Sequence, residues 1–205
     1  MRYIEFKDAL KDWTVFSLND IKSIDSNFFR TRLTEWQRKG YIKKLVKEYY
    51  IFSDLALDEN CLFEIANRIY SPSYISFETA LGFYKLIPES VYGISSASTR
   101  RTYRFKTQVA EFSYSTLKPS LFFGYKLIKY KNGYFKMADI QKAVLDYFYI
   151  NTGIRTKDDF IAIRFDSDMF FEQLDEEKLY TFLERFAQKT LTKRIKAFLE
   201  FMKNA

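Results

Sequence analysis

Residues 27–52, NFFRTRLTEWQRKGYIKKLVKEYYIF, decide the fold of the N-terminal part, because the apolar period changes once within them. At about 100° per residue, Phe29, Leu33 and Trp36 fall on one stripe of a helix over 27–39. Asn27, Arg30, Thr31, Thr34 and Arg38 fall opposite, within an arc of about 100°. That face is read as hydrogen-bonding and cationic. Gly40 stands where a helix of this length stops. The chain then turns to strand character at Ile42, Val46, Tyr49 and Ile51, with Lys47 and Glu48 at the tip of a hairpin.

Upstream, residues 3–11 (YIEFKDALK) have Ile4, Phe6, Ala9 and Leu10 as the apolar positions of a short amphipathic helix. Ser17 stands three residues before Asp20, the spacing of a reciprocal helix cap. The helix it starts, over 18–24, ends near Asp25 and Ser26, either of which can cap the next. Two short helices joined by a tight polar turn, followed by a basic hairpin, make residues 1–52 a winged helix-turn-helix. In such a module the third helix enters the major groove of double-stranded DNA. Asn27 suits adenine, Arg30 and Arg38 suit guanine or phosphate, and Thr31 and Thr34 reach base or phosphate. Lys43, Lys44 and Lys47 on the wing meet phosphate. The formal charge of +7 is moderate, but its excess is local. From Arg30 to Lys47 the cations are Arg30, Arg32, Arg38, Lys39, Lys43, Lys44 and Lys47, against Glu35 alone. An ordinary solvated helix face is the plainer alternative.

The 205 residues suit this small module plus one medium domain, over 1–52 and 53–205. A hydrophobic share of 47% and an aromatic share of 20% supply a core, so the chain is not disordered. No run approaches the roughly 20 apolar residues of a membrane span. The N-terminus, MRYIEFKDALKDW, carries acids where a signal peptide needs an apolar stretch. A cytoplasmic protein without a membrane partner is expected. Cys61 is the sole cysteine, which leaves no disulfide framework and no Cys-rich zinc site, and its neighbours Leu62 and Phe63 suggest burial. Histidine is absent, which removes Ser-His-Asp and Cys-His nucleophiles and ordinary zinc hydrolysis. A Gly-rich phosphate loop is absent as well. No enzyme, no cofactor and no metal are expected.

The connector over 53–60 is short and polar, so the two parts should pack closely. Beyond it a helix with Leu62, Ile65, Ala66 and Ile69 inward is followed by Ser71-Pro72-Ser73 punctuation. A second helix, with Phe77, Ala80, Leu81 and Tyr84 at helical spacing, runs to Pro88. The period then becomes two: VYGISSAS, RTYRF, VAEFSYS and FFGYKLIKY read as strands, with a turn at Lys131-Asn132-Gly133 before YFKM. A meander of this kind should lay one face on helices, including one over 138–149 with Ile140, Ala143, Val144 and Tyr147 inward. Leu179, Phe182, Leu183 and Phe186 mark one C-terminal helix, and Leu191, Ile195, Phe198, Leu199 and Met202 another. The fold class is therefore α+β: a winged helix-turn-helix, then a mixed domain with a small antiparallel sheet packed on helices and a helical C-terminus. Asp158-Asp159, Asp166 with Asp168, and Asp175-Glu176-Glu177 each sit near a helix start, where carboxylates cap and complement the dipole, so metal ligation is not assigned to them.

Across the second part, several motifs follow in order. They are Pro72-x-Tyr74-Ile75-Ser76 before a helix with Ala80-Leu81, then Leu86-Ile87-Pro88-Glu89 and Thr99-Arg100-Arg101. Phe112-x-Tyr114, Leu121-Phe122-x-Gly124-Tyr125, and Ala138 with Lys142-Ala143-x-Leu145-Asp146 complete the series. With the winged helix in front, this pattern over 3–150 resembles the AbiEi family, the antitoxin half of type IV toxin-antitoxin modules of abortive infection, an antiviral defence. The resemblance implies transcriptional autorepression through inverted repeats in the protein's own promoter. It also implies an antitoxin that counters a nucleotidyltransferase-like toxin without a stable complex. Residues 151–205 add little to it.

Arg100, Arg101, Arg104 and Lys106 form a candidate second basic patch, with Arg104 and Lys106 on one face of a strand and Tyr103 and Phe105 on the other. They read either as a further phosphate-contacting or antitoxin surface or as an exposed sheet face. Two function classes stay open: the antitoxin and autorepressor, and a winged-helix regulator whose second domain senses a ligand or protein without a toxin. The empty catalytic inventory leaves little room for an enzyme.

Overall fold

The computed structural model describes residues 1–88 and 93–204. Glu89 of the family-like pattern and Val91 and Tyr92 of the first expected strand lie outside the described residues. The first unit runs α1 (Tyr3–Leu10), β1 (Phe16–Ser17), α2 (Leu18–Ile24), α3 (Thr31–Arg38), β2 (Ile42–Val46) and β3 (Tyr49–Phe52). Its strands form an antiparallel sheet in the order β1-β3-β2. Phe6, Leu10, Phe16, Ile21, Phe28, Leu33, Trp36, Ile42, Tyr50 and Phe52 fill a core of their own. Ser17 and Asp20 cap α2 reciprocally: Asp20 N–H donates to Ser17 Oγ at 3.2 Å and Ser17 N–H to Asp20 Oδ2 at 2.7 Å. On α1 only Phe6 and Leu10 go inward, while Ile4 and Ala9 face solvent.

The third helix starts at Thr31, not Asn27. Asp25 is the cause: its carbonyl accepts from Phe28 N–H at 3.0 Å and its carboxylate from Asn27 N–H at 3.1 Å. Those local bonds offer the backbone a turn in place of a first helical turn. With the helical phase broken there, Phe28 is the buried aromatic and Phe29 is 71% exposed, the reverse of the sequence expectation.

The second part opens with α4 (Glu59–Ile69), β4 (Ser73–Ile75) and α5 (Phe77–Phe83). Strands β5 (Ile94–Ser98), β6 (Tyr103–Lys106), β7 (Glu111–Thr116), β8 (Tyr125–Tyr130) and β9 (Gly133–Ala138) follow. It ends with α6 (Ile140–Ile150), α7 (Lys157–Ile163), α8 (Ser167–Gln173), α9 (Glu176–Phe186) and α10 (Lys189–Lys203). The sheet has six strands in the order β6-β7-β5-β4-β9-β8 and is mixed, with β5–β7 and β4–β9 parallel. The expected antiparallel meander is thus corrected in two respects. β6 crosses to the outer edge, which makes β5 and β7 parallel neighbours. β4, which runs from Ser73 of the expected punctuation to Ile75 at the expected start of the next helix, lies near the centre, and its three residues are buried on both faces, too short a run to show any alternation. Helix α5 also ends at Phe83, short of Pro88, with Lys85 in the left-handed region (φ 58°) just after it.

Helix α4 covers one sheet face, where Tyr114 Oη donates to Ala66 O at 2.7 Å and Phe63 meets Phe135 with centroids 5.4 Å apart. Helices α5 and α6 cover the other, with α9 and α10 packed beyond α6. The second core is continuous with Val15, Leu45 and Ile51 of the first unit, so the two parts share a buried apolar seam. No helix among the described residues is long and apolar enough to cross a membrane. The acids expected at helix starts are there: Asp159 with Thr156 on α7, Asp166 on α8 and Asp175 on α9. Among the described residues no group of three or more potential metal-binding side chains comes together.

Candidate nucleic-acid interface

Helix α3 is anchored by Leu33 and Trp36, exposed by only 1% and 3%. The Trp36 ring sits among Phe6, Tyr3 and Phe28 at centroid distances of 4.5, 5.5 and 5.6 Å. Aromatic packing on one side leaves the opposite stripe in solvent. Thr31, Thr34 and Arg38 share that stripe at i, i+3 and i+7 and are exposed. Asn27 and Arg30 are exposed too, but Asn27 lies in the turn before the helix and Arg30 at its N-cap position. The structure therefore brings Thr31, Thr34 and Arg38 into one row and sets Asn27 and Arg30 at its entrance. Arg32 is half-buried at the side.

The face is not free of acid, contrary to the reading from sequence. Glu35 stands about 40° from Thr31 around the helix axis, and Lys39 Nζ holds it at 2.6 Å. The Lys39 hydrogen bond keeps the Glu35 carboxyl below its ordinary range and raises the Lys39 ammonium. The pair cancels locally, leaving Arg38 as the net charge of the row. Phe29 was misplaced by phase and stands exposed beside Arg30.

Lys47 and Glu48 form the two-residue tip of the β2–β3 hairpin, Val46 pairing with Tyr49 and Glu48 taking a positive φ of 69°. Lys43 pairs with Ile51 and Lys44 with Tyr50. As adjacent strand residues the two lysines point to opposite faces, so the hairpin splits its cations and does not present them as one row. Gly40 ends the helix in the left-handed region at φ 73°, with nothing within 4 Å of where a Cβ would stand.

The orientation of this unit on the second part rests on contacts that the sequence did not single out. Asp20, besides capping α2, accepts Arg68 Nη2 of α4 at 2.8 Å. The Arg68 guanidinium lies 5.4 Å from the Trp13 ring centroid. Thr14 Oγ1 donates to Glu64, and Lys7 pairs with Asp54 at 2.5 Å.

The second basic patch is largely engaged in holding its own surroundings. Arg100 lies 4.2 Å over the Tyr70 ring and donates to Ser71 O at 3.2 Å. Arg101 is 5.7 Å from the Tyr103 ring, and Arg104 pairs with Glu111 at 3.1 Å. Lys106 is exposed on the same edge strand. Cys61 is closed to solvent, and burial pushes its thiol up to about 11.

Four residues of the family-like pattern meet in the interior. Lys142 and Asp146, one turn apart on α6, form an ion pair with both side chains closed to solvent. Tyr74 Oη donates to Asp146 Oδ2 at 2.8 Å and accepts from Lys142 Nζ at 2.8 Å, while Ser76 Oγ donates to Asp146 Oδ2 at 2.9 Å. Burial raises Asp146 and lowers Lys142, against the pull of the pair itself. Without solvent access, this network holds β4, α5 and α6 together and offers no substrate a place. A second ion pair, Lys178 to Asp139 at 2.7 Å, fastens α9 over it. Compared with known proteins, the chain matches no family model and no curated sequence.

Proposed function

We propose that this chain is a double-stranded DNA-binding transcriptional regulator whose first unit works as a winged helix. The observation that carries the reading is the anchored helix α3, with Thr31, Thr34 and Arg38 in one solvent-facing row, Arg30 at its entrance and a lysine-bearing hairpin behind it. Hydroxyls and a guanidinium in such a row reach base edges and phosphates, and hairpin lysines add phosphate contacts. One unit reads a short site, so selectivity for a promoter comes from two copies on inverted repeats. Arg30→Ala with Arg38→Ala should abolish a gel shift on the protein's own promoter; unchanged binding overturns the assignment of α3.

The resemblance of the second part to AbiEi antitoxins supports a further role as the antitoxin of a type IV module, countering a nucleotidyltransferase-like toxin. Tyr74, Ser76, Lys142 and Asp146, which belong to that pattern, are the side chains joined in the buried network. The test is growth on co-expression with the product of the adjacent reading frame, using the whole chain. The Arg30→Ala/Arg38→Ala protein should still rescue growth. Failure of both proteins to rescue overturns the antitoxin role and leaves DNA binding standing.

A further inference from the structure

The C-terminal helices carry a cleft that the DNA-binding reading does not use. It lies between the α6–α7 connection and the start of α10, has a volume of 350 Å³, and is lined by Thr152, Arg155, Gln188, Thr190, Lys193 and Arg194. Three cations, two hydroxyls and an amide line it, and no acid does. Among the described residues, none of the three cations is ion-paired to a carboxylate. Both guanidiniums are nevertheless held in place. Arg194 Nη1 donates to Asn151 O at 3.0 Å and Ile154 O at 3.5 Å, and Arg155 Nε to Thr152 O at 2.9 Å. Main-chain carbonyls satisfy hydrogen bonds without neutralising charge. Burial and the facing Arg155 hold the Arg194 guanidinium below its ordinary value. Gln188, at the N-cap of α10, makes no side-chain bond to the first turn, so the helix start adds a positive end to the same cleft.

We propose that this cleft binds the phosphate groups of a small phosphorylated ligand. Arg forks and hydroxyls match phosphate oxygens, a lysine adds a point charge, and an anion would relieve the repulsion among the three cations. The volume is at the low end for small-molecule sites, which suits one or two phosphates with little else enclosed. The inference stands apart from DNA binding by α3.

The test is calorimetric titration of the full chain with pyrophosphate and, separately, with a nucleoside triphosphate, at constant ionic strength. Three proteins are compared: the natural sequence, Arg155→Gln/Lys193→Gln, and Arg30→Ala/Arg38→Ala. The expected result is one-site binding in the first and third, weakened about tenfold or more in the second, with circular dichroism and Tm unchanged. With inorganic tripolyphosphate as a third titrant of matching phosphate number, tighter binding of the nucleoside triphosphate than of tripolyphosphate assigns the phosphate to a nucleotide; equal or weaker binding assigns it to a free phosphate or polyphosphate. Absence of binding, equal binding in Arg155→Gln/Lys193→Gln, or loss in Arg30→Ala/Arg38→Ala overturns the proposal.

Discussion

Lys142 and Asp146 show how much rests on single side chains. Removing one member of a closed ion pair leaves the other charge uncompensated, at a cost of about 3–5 kcal/mol. Lys142→Met should lower stability by that order in denaturant unfolding. Adding Asp146→Asn should recover most of the loss, because an amide oxygen still accepts from Tyr74 and Ser76 while the buried charge is gone. A double variant as unstable as Lys142→Met would show that packing, not charge, holds this region. Gly40 poses a separate backbone question. A Cβ there has open space, so Gly40→Ala should cost only the left-handed strain, about 1 kcal/mol, read as a small fall in Tm.

At the scale of elements, the proposed DNA contact divides between α3 and the β2–β3 hairpin. On that proposal the row of α3, anchored by Leu33 and Trp36, discriminates sequence, and the hairpin lysines meet phosphate and carry affinity alone. Lys47→Ala at the hairpin tip should therefore weaken binding to promoter and to unrelated duplex alike. The slope of log affinity against log salt should fall by about one. A loss confined to the promoter would move Lys47 into base recognition.

The whole molecule is joined through Val15, Leu45 and Ile51, which belong to the core of the second part, and through the Arg68–Asp20 ion pair. A shared apolar seam couples the two units, so calorimetric unfolding should give one cooperative transition. Two separated transitions would show that the first unit melts alone. Because Asp20 both caps α2 and receives Arg68, Asp20→Ala should loosen the cap and the seam together, whereas Arg68→Ala should loosen only the seam. A larger fall in Tm for Asp20→Ala than for Arg68→Ala checks this, and equal effects would mean that the cap contributes nothing.

Local chemistry was legible in the sequence. The Ser17–Asp20 cap, the Gly40 stop, the Lys47-Glu48 tip, the acidic starts of α7, α8 and α9 and the stripes of α9 and α10 all follow from residues within about one helical turn or one strand pair. The exposure of Thr31, Thr34 and Arg38 follows from the same spacing. The start of α3 departs from the expected Asn27 because Asp25 takes the Asn27 and Phe28 N–H groups and holds a turn there. What only the tertiary structure decided is non-local. The parallel pairing of β5 with β7 and of β4 with β9 joins segments far apart in the chain. The meeting of Tyr74 with Asp146 and of Arg155 with Arg194 depends on how whole elements pack. Periodicity reports which side of an element is buried; it carries no information on which element lies against that side, and that choice brought the buried network and the cationic cleft into being.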